Sequence, residues 1–132
     1  MQIHGRCHCG AIGFTALIDP DKVFACHCAD YQTMSGAPFR AVVPVAAQDL
    51  VLTGTPKTYV KTAQSGNRRA QGFCGDCGTP IYATSADNPA FYGLRLGCVE
   101  ERALLPPRKQ VWTHSAMPWL HGLADVPGTA EQ

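Results

Sequence analysis

The chain has 132 residues, a formal net charge of +1 and 16% charged residues. This length suits one domain over residues 1–132 with a modest core, and the balanced charge excludes a broad basic or acidic face that would bind nucleic acid or an anionic membrane. No apolar run reaches about 18 residues and the N-terminus lacks the apolar segment of a secretory signal, so a cytoplasmic protein is expected.

Short apolar and β-branched runs follow one another between glycines and prolines, with no long helical period and no repeat. In the first run Ile12, Phe14 and Ala16 alternate with their neighbours, as on a half-buried strand. We therefore expect a mainly β fold of short antiparallel strands, at residues 10–17, 39–45, 50–52, 58–61, 69–73, 80–83, 91–96 and 110–113.

Few other elements are predicted. Residues 64–67, with the sequence Gln-Ser-Gly-Asn, are typical of a hairpin turn. A short helical turn is expected at residues 30–34. The tail at residues 125–132 has too little apolar content to pack and is expected to fray.

The cysteines carry the most specific signal in the chain. Six of the seven fall into close pairs, and a tetrahedral zinc site closes most easily when two thiolates come from each of two distant turns. A glycine after the second cysteine of a pair permits the tight turn that such a pair needs. Two of the pairs meet this requirement and predict a structural zinc site: Cys7 with Cys9, and Cys74 with Cys77.

Two alternatives to zinc are open for these cysteines. A disulfide framework conflicts with the odd number of cysteines and with a reducing compartment. A redox role for Cys74 and Cys77 requires a βαβ context, whereas strands and turns are predicted around them. Metal ligation is therefore favoured over both.

The third pair is less complete. Cys26 and Cys28, with His27 between them, supply two thiolates and no further knuckle. A catalytic zinc has three protein ligands and an open position, whereas a degenerate site binds nothing. Spacing alone does not choose between a catalytic and a degenerate site.

These motifs together resemble one known family. The segments that carry the resemblance, in order from Gly5 to Trp119, are Cys-x-Cys-Gly at 7–10, Cys-His-Cys at 26–28, Ser-Gly-Ala-Pro-Phe at 35–39, Phe-Cys-Gly-Asp-Cys-Gly-Thr-Pro at 73–80, Arg-Leu-Gly at 95–97 and the region 112–119. The chain resembles the glutathione-dependent formaldehyde-activating enzymes. The resemblance implies an Mss4-like fold pinned by a zinc on the four cysteines at 7, 9, 74 and 77, a second, catalytic zinc, and lyase chemistry on adducts of glutathione with formaldehyde.

The chain departs from the family pattern at one position. The family holds the second zinc with a Cys-His-Cys-x-x-Cys run, and here the last of these cysteines is Tyr31. A phenol with a pKa near 10 must lose its proton to ligate a metal well. Tyr31 is either an oxygen ligand, which zinc would favour by lowering its pKa, or the mark of a lost site.

Other residues are candidates by chemistry. Cys98 is a candidate third thiolate for Cys26 and Cys28, with a buried apolar role as the alternative. Arg40, Lys61, Arg68 and Arg69 are available for the two carboxylates of glutathione, with Arg68 or Arg69 favoured.

Two functions of different classes follow. The first is a zinc-dependent carbon–sulfur lyase acting on glutathione–aldehyde adducts. The second is a non-catalytic, zinc-stabilised module that binds a thiol compound or a protein. The identity of the aldehyde and the oligomeric state are left open.

Overall fold

The computed structural model describes residues 1–63 and 65–132. These residues contain ten short strands and one α-helix, α1 (Ala29–Ser35), besides several short 3-10 segments. The strands are β1 (Gln2–Arg6), β2 (Gly13–Leu17), β3 (Phe24–Cys26), β4 (Arg40–Ala46), β5 (Leu50–Thr53), β6 (Lys57–Thr62), β7 (Arg68–Phe73), β8 (Pro80–Ser85), β9 (Phe91–Arg95) and β10 (Lys109–Val111).

The strands form two sheets. A three-stranded sheet has the order β1-β2-β5, and a seven-stranded sheet has the order β10-β3-β4-β9-β8-β7-β6. Every pairing is antiparallel except that of β10 with β3, which is parallel. The prediction of a mainly β fold is confirmed, with this one parallel pair as the exception to an antiparallel arrangement.

One core lies between the two sheets. Ile3 and Phe14 project from the three-stranded sheet and pack with Val43, Ile81 and Leu94 of the seven-stranded sheet, all of them at most 4% exposed. Because successive side chains of a strand point to opposite faces, the residues that alternate with these lie on the far face of the larger sheet. That far face is where the functional candidates gather.

Strand register identifies the residues on the far face. Arg40 is the partner of Cys26, and Arg95 is the partner of Val42, which lies two residues after Arg40. Partners across a ladder share a face, so Cys26, Arg40 and Arg95 project to the same side. On the neighbouring strands Gln71 is the partner of Ala83, and Arg69 is the partner of Lys61, on this same side.

A glycine facing an aromatic ring occurs in both hairpins that lead to the cysteine pairs. Gly5 is opposite Phe14 in the β1–β2 hairpin, and Gly72 lies over Tyr82 in the β7–β8 hairpin. A Cβ atom at either glycine would lie within 2.5 Å of the ring, at 2.1 Å and 2.4 Å respectively. Each glycine precedes the first cysteine of its pair by two residues, as in Gly5-x-Cys7.

The helix α1 connects β3 to β4 across the far face. Its N-cap is Cys28, whose sulfur accepts a hydrogen bond from the Tyr31 N–H at 3.4 Å. It ends at Gly36, which has the positive φ of 64° that a left-handed C-cap favours. A short turn was predicted at 30–34, and the structure extends it to a helix of 7 residues.

Most predicted strands are confirmed within two or three residues of their ends, but β1 and β3 were missed. β1 has a single buried apolar side chain, Ile3, besides Gly5, and β3 has three residues, so neither produces a visible alternation.

In the predicted turn at 64–67, Gln64 lies outside the described residues. Residues 126–132 are exposed and form neither helix nor strand. None of the described helices has the length and apolarity needed to cross a bilayer.

Candidate functional site

The first candidate site is the cluster of four cysteines. The sulfur atoms of Cys7, Cys9, Cys74 and Cys77 all lie within 4.8 Å of one another. The separations are 3.6 Å for Cys7 to Cys9 and 3.7 Å for Cys9 to Cys74. Thiolates about 2.3 Å from a tetrahedral zinc are about 3.8 Å apart, so the cluster has the dimensions and the donor set of a closed zinc site.

Two hairpin turns build the cluster. The chain reverses after β1 through a bond from the Cys7 N–H to the Ile12 carbonyl at 2.9 Å, and after β7 through a bond from the Cys74 N–H to the Thr79 carbonyl at 2.9 Å. The His8 N–H donates to Thr79 Oγ1 at 3.1 Å and links the two turns. Because one turn belongs to each sheet, a metal here would join the two sheets at one end.

Hydrogen bonds to the sulfurs favour thiolates. The Ile12 N–H donates to Cys7 Sγ at 3.2 Å, and Thr79 Oγ1 lies 3.1 Å from Cys77 Sγ. The side-chain and backbone hydrogen bonds of Thr79 lower the pKa of Cys77 to about 5. The pKa of Cys9 moves the other way: the backbone of Ala11 acts to lower it, but the neighbouring thiols raise it to about 12. A cation bound among the four sulfurs would relieve the repulsion between their negative thiolate charges.

The third cysteine pair lies at the far face of the larger sheet. Cys26 is buried at the end of β3, where burial raises its pKa, and Cys28 is half-buried at the start of α1. The structure does not bring Cys98 to them: its thiol donates to the carbonyls of Arg95 and Pro80 at 3.0 and 3.3 Å, and burial raises its pKa to about 11. Among the described residues, only the four-cysteine cluster gathers three or more His, Cys, Asp or Glu ligand atoms.

Tyr31, the residue that replaces the expected cysteine, packs against two arginines. Its ring centroid lies 4.5 Å from the guanidinium carbon of Arg95 and 5.2 Å from that of Arg40. Both distances are those of cation–π contacts. The ring is therefore held by its packing on the sheet, beside Cys26 and Cys28.

His27, between the two cysteines, is 1% exposed and faces away from them. Its Nε2 lies 2.7 Å from Oε1 of Gln110, and its ring packs on that of Phe39. Its Nδ1 is buried and has no hydrogen-bond partner among the described residues. His114 packs against Trp112, at a centroid distance of 5.5 Å.

A cavity of about 600 Å³ opens on the far face, next to Cys26 and Cys28. Phe24, Met34, Val111 and Trp112 contribute apolar walls, and Tyr31 and Gln71 contribute polar atoms, as do Lys61, Asp30 and Arg69. Trp112 has a positive φ of 57°, a conformation that costs free energy in a residue with a Cβ and that often occurs at binding sites. An apolar cavity with a few convergent polar groups is typical of a small-molecule site.

The two arginines predicted to bind carboxylates separate in the structure. Arg69 lines the cavity. Arg68, the preceding residue of β7, points to the opposite side and forms an ion pair with Asp87 at 3.1 Å. Lys61, on the neighbouring strand, also lines the cavity and pairs with Asp30 of α1.

The sequence analysis did not predict a role for Arg95, although this residue begins the Arg-Leu-Gly motif. Arg95 and Arg40 are 4% and 6% exposed. Burial, followed by the charge of Arg95, lowers the pKa of Arg40 to about 10. The signal that could have found Arg95 is a charged residue at a strand end whose neighbours are apolar, because such a charge is seldom buried without a function.

The chain is similar to one family model, to a curated relative and to a solved structure. The family model described as glutathione-dependent formaldehyde-activating enzyme matches residues 2–115. An uncharacterized lyase of Schizosaccharomyces pombe is 29% identical over 98 residues, which cover 68% of this chain but only 64% of that protein, less than two thirds of its length. A solved structure of a Rhodobacter sphaeroides protein is similar with a TM-score of 0.62 at 19% identity, covering 82% of this chain and 99% of that one, which shows a shared fold.

Proposed function

Because this chain belongs to the glutathione-dependent formaldehyde-activating enzyme family, we propose that it is a carbon–sulfur lyase acting on adducts of glutathione with an aldehyde, formaldehyde first among them. The observation that carries the proposal is the cavity of about 600 Å³ that has apolar walls, two thiols and the cations Arg69 and Lys61. Glutathione has two carboxylates, and a guanidinium binds a carboxylate through two parallel hydrogen bonds.

The reaction forms or breaks one carbon–sulfur bond. The thiol sulfur attacks the aldehyde carbon, the carbonyl π bond becomes a carbon–oxygen single bond, and the thiol proton ends on the oxygen. The ion pair of Asp30 and Lys61 at the cavity wall would serve both ends of this transfer. The Asp30 carboxylate accepts the thiol proton, the Lys61 ammonium gives a proton to the oxygen as charge develops on it, and the proton on Asp30 then passes to Lys61 across their ion pair.

Zinc at the four-cysteine cluster would hold together the turns that follow β1 and β7. It would thereby stabilise the larger sheet, whose far face carries the cavity. A second zinc does not fit the residues present. Cys26 and Cys28 supply two thiols, no third His, Cys, Asp or Glu of the described chain converges with them, and catalytic zinc takes three protein ligands. We therefore assign no step of the reaction to a second metal.

A second candidate function is a binding module without catalysis. It is favoured by Tyr31, which stands where the family pattern has the third cysteine of the second zinc site and which packs on Arg40 and Arg95. Such a module would use the same cavity to bind a thiol compound. Both functions would bind a thiol compound in this cavity, but only the lyase would turn it over.

Exchange spectroscopy tests the proposal. Glutathione and ¹³C-formaldehyde are mixed with catalytic amounts of protein, and the rate of interconversion between free aldehyde and adduct is measured by NMR. A lyase accelerates this exchange, by about 10²-fold or more if acid–base transfer contributes as it does in other enzymes. Binding of glutathione without acceleration would favour the binding module instead.

Replacement of Arg69 by glutamine is expected to weaken substrate binding. One charge-assisted pair with a carboxylate is lost, so KM should rise about tenfold or more with little change in kcat. The matched control is Arg68→Gln, on the opposite face of the same strand. Equal effects of the two substitutions on KM would contradict the assignment of Arg69.

Replacement of Cys26 by serine is expected to leave the metal content unchanged. Elemental analysis should give about one zinc per chain for both proteins, because the four other thiolates form one closed site. A content of two that falls to one on Cys26→Ser would show that a second metal is bound after all.

A further inference from the structure

Two guanidinium nitrogens of Arg95 have no partner in the part of the chain that the structure describes. Its Nη2 donates to Gln71 Oε1 at 2.6 Å, while Nε and Nη1 are buried and make no hydrogen bond to the described residues. A buried charged donor without an acceptor is costly, and proteins almost always satisfy it. The side chain is therefore short of acceptors among the described protein atoms.

No carboxylate in the described part of the chain forms an ion pair with this charge. Within residues 1–63 and 65–132, none of the ion pairs involves Arg95 or Arg40. The charged or ionisable groups that act most on Arg40 are Arg95, Tyr31, Cys28 and Cys98, and none of them is a carboxylate. Two guanidinium groups thus lie side by side in a buried place without a counter-ion, which raises the free energy of the protein unless an anion joins them.

Space for an anion adjoins both arginines. A cavity of about 230 Å³ has Arg40 and Arg95 in its lining together with Thr79 and Cys98, and another of about 170 Å³ is lined by Arg40 and Gln71. The second cavity shares Gln71 with the 600 Å³ cavity. The spaces are therefore neighbours along one face of the sheet, beneath α1.

We propose that Arg95 and Arg40, with Gln71 beside them, form a carboxylate-binding subsite that holds one acidic end of the ligand, while its thiol end lies in the 600 Å³ cavity. The subsite deepens the proposed function. The identity of its ligand rests on that function, whereas the binding of a carboxylate does not. The Tyr31 ring, which packs over both guanidinium groups, covers the subsite and shifts when the carboxylate enters. Arg69 at the other side of the cavity is then available for a second carboxylate.

Succinate, a dicarboxylate without a thiol, is the probe. Its affinity is measured by calorimetry for the unmodified protein, for Arg95→Met and for the control Arg68→Gln. We expect a loss of tenfold or more for Arg95→Met and no change for Arg68→Gln. Equal affinity in all three proteins, or no binding of succinate to the unmodified protein, would overturn the subsite.

Thermal unfolding without ligand separates a binding role from a structural one. Removal of an uncompensated buried charge should leave the midpoint of Arg95→Met at or above that of the unmodified protein. A midpoint lower by more than about 4 °C would indicate a structural arginine and contradict the proposal.

A comparison on the unmodified protein keeps the proposal testable if Arg95→Met does not fold. Glutathione should bind tenfold or more tightly than its diethyl ester, which lacks the two negative charges, and equal binding would contradict the subsite. Succinate binding without glutathione turnover would leave the subsite standing and refute the lyase. Glutathione turnover that Arg95→Met does not affect would refute the subsite and leave the lyase standing.

Discussion

Replacement of Cys74 by serine is expected to release the metal and to unfold the protein. Cys74 is 1% exposed, and its sulfur lies 3.7 Å from that of Cys9, which is 65 residues away in the chain. The cluster holds the ends of two hairpins from different sheets. Structural zinc supplies about 10–16 kcal/mol of binding free energy in small domains, whereas a whole domain is stable by about 5–15 kcal/mol. Loss of one ligand therefore removes a large share of the stability.

The measurement is zinc content by elemental analysis together with circular dichroism and thermal unfolding. The matched control is Cys98→Ser, a buried cysteine outside the cluster, which should keep the metal. Chelation of the unmodified protein should reproduce the unfolding seen with Cys74→Ser. A folded Cys74→Ser protein with an unchanged melting midpoint would show that the four cysteines do not hold a structural metal.

Replacement of Gly5 by alanine is expected to destabilise the fold by about 1–3 kcal/mol, the cost of overpacking a core. The new Cβ would lie 2.1 Å from the Phe14 ring, which is 4% exposed and has no room to withdraw. Either the ring or strand β1 must move. Since Cys7 follows two residues later, the same movement should also weaken metal binding.

Chemical denaturation measures the change in stability, and competition with a chelator measures the metal affinity. Gly13→Ala is the matched control, because Gly13 lies in the same hairpin and a Cβ there meets its nearest atom at an ordinary 3.7 Å. Gly72→Ala should behave like Gly5→Ala, since its Cβ would lie 2.4 Å from the Tyr82 ring. Equal stability of Gly5→Ala and Gly13→Ala would refute the role of the glycine–aromatic contact.

The strands that the sequence predicted are those whose own residues alternate. In β2 buried and exposed residues alternate, and in β4 six apolar residues follow one another, so a local pattern reports each strand. β1 and β3 depend on partners for their existence: β3 has three residues and is held between β4 and β10. A strand formed by distant neighbours has no local signature.

The four-cysteine cluster was predictable from sequence, because ligand spacing within a tight turn is a local property. The grouping of Cys26, Arg40, Arg95, Gln71 and Arg69 on one face was not. Those residues come from four strands, and only the register of the seven-stranded sheet decides that they share a side. The same register turned Arg68 away from the cavity that Arg69 lines.

The sequence by itself therefore determined the mainly β class, the family and the cysteines that could hold a metal. Each of these depends on spacings of a few residues. The tertiary structure alone decided that Tyr31 packs on two buried arginines, that the Cys98 thiol donates to the Arg95 carbonyl, and that Arg69 and Lys61 line one cavity. Contacts between residues far apart in the chain are set by strand pairing and by the packing of helix on sheet, which no short pattern encodes.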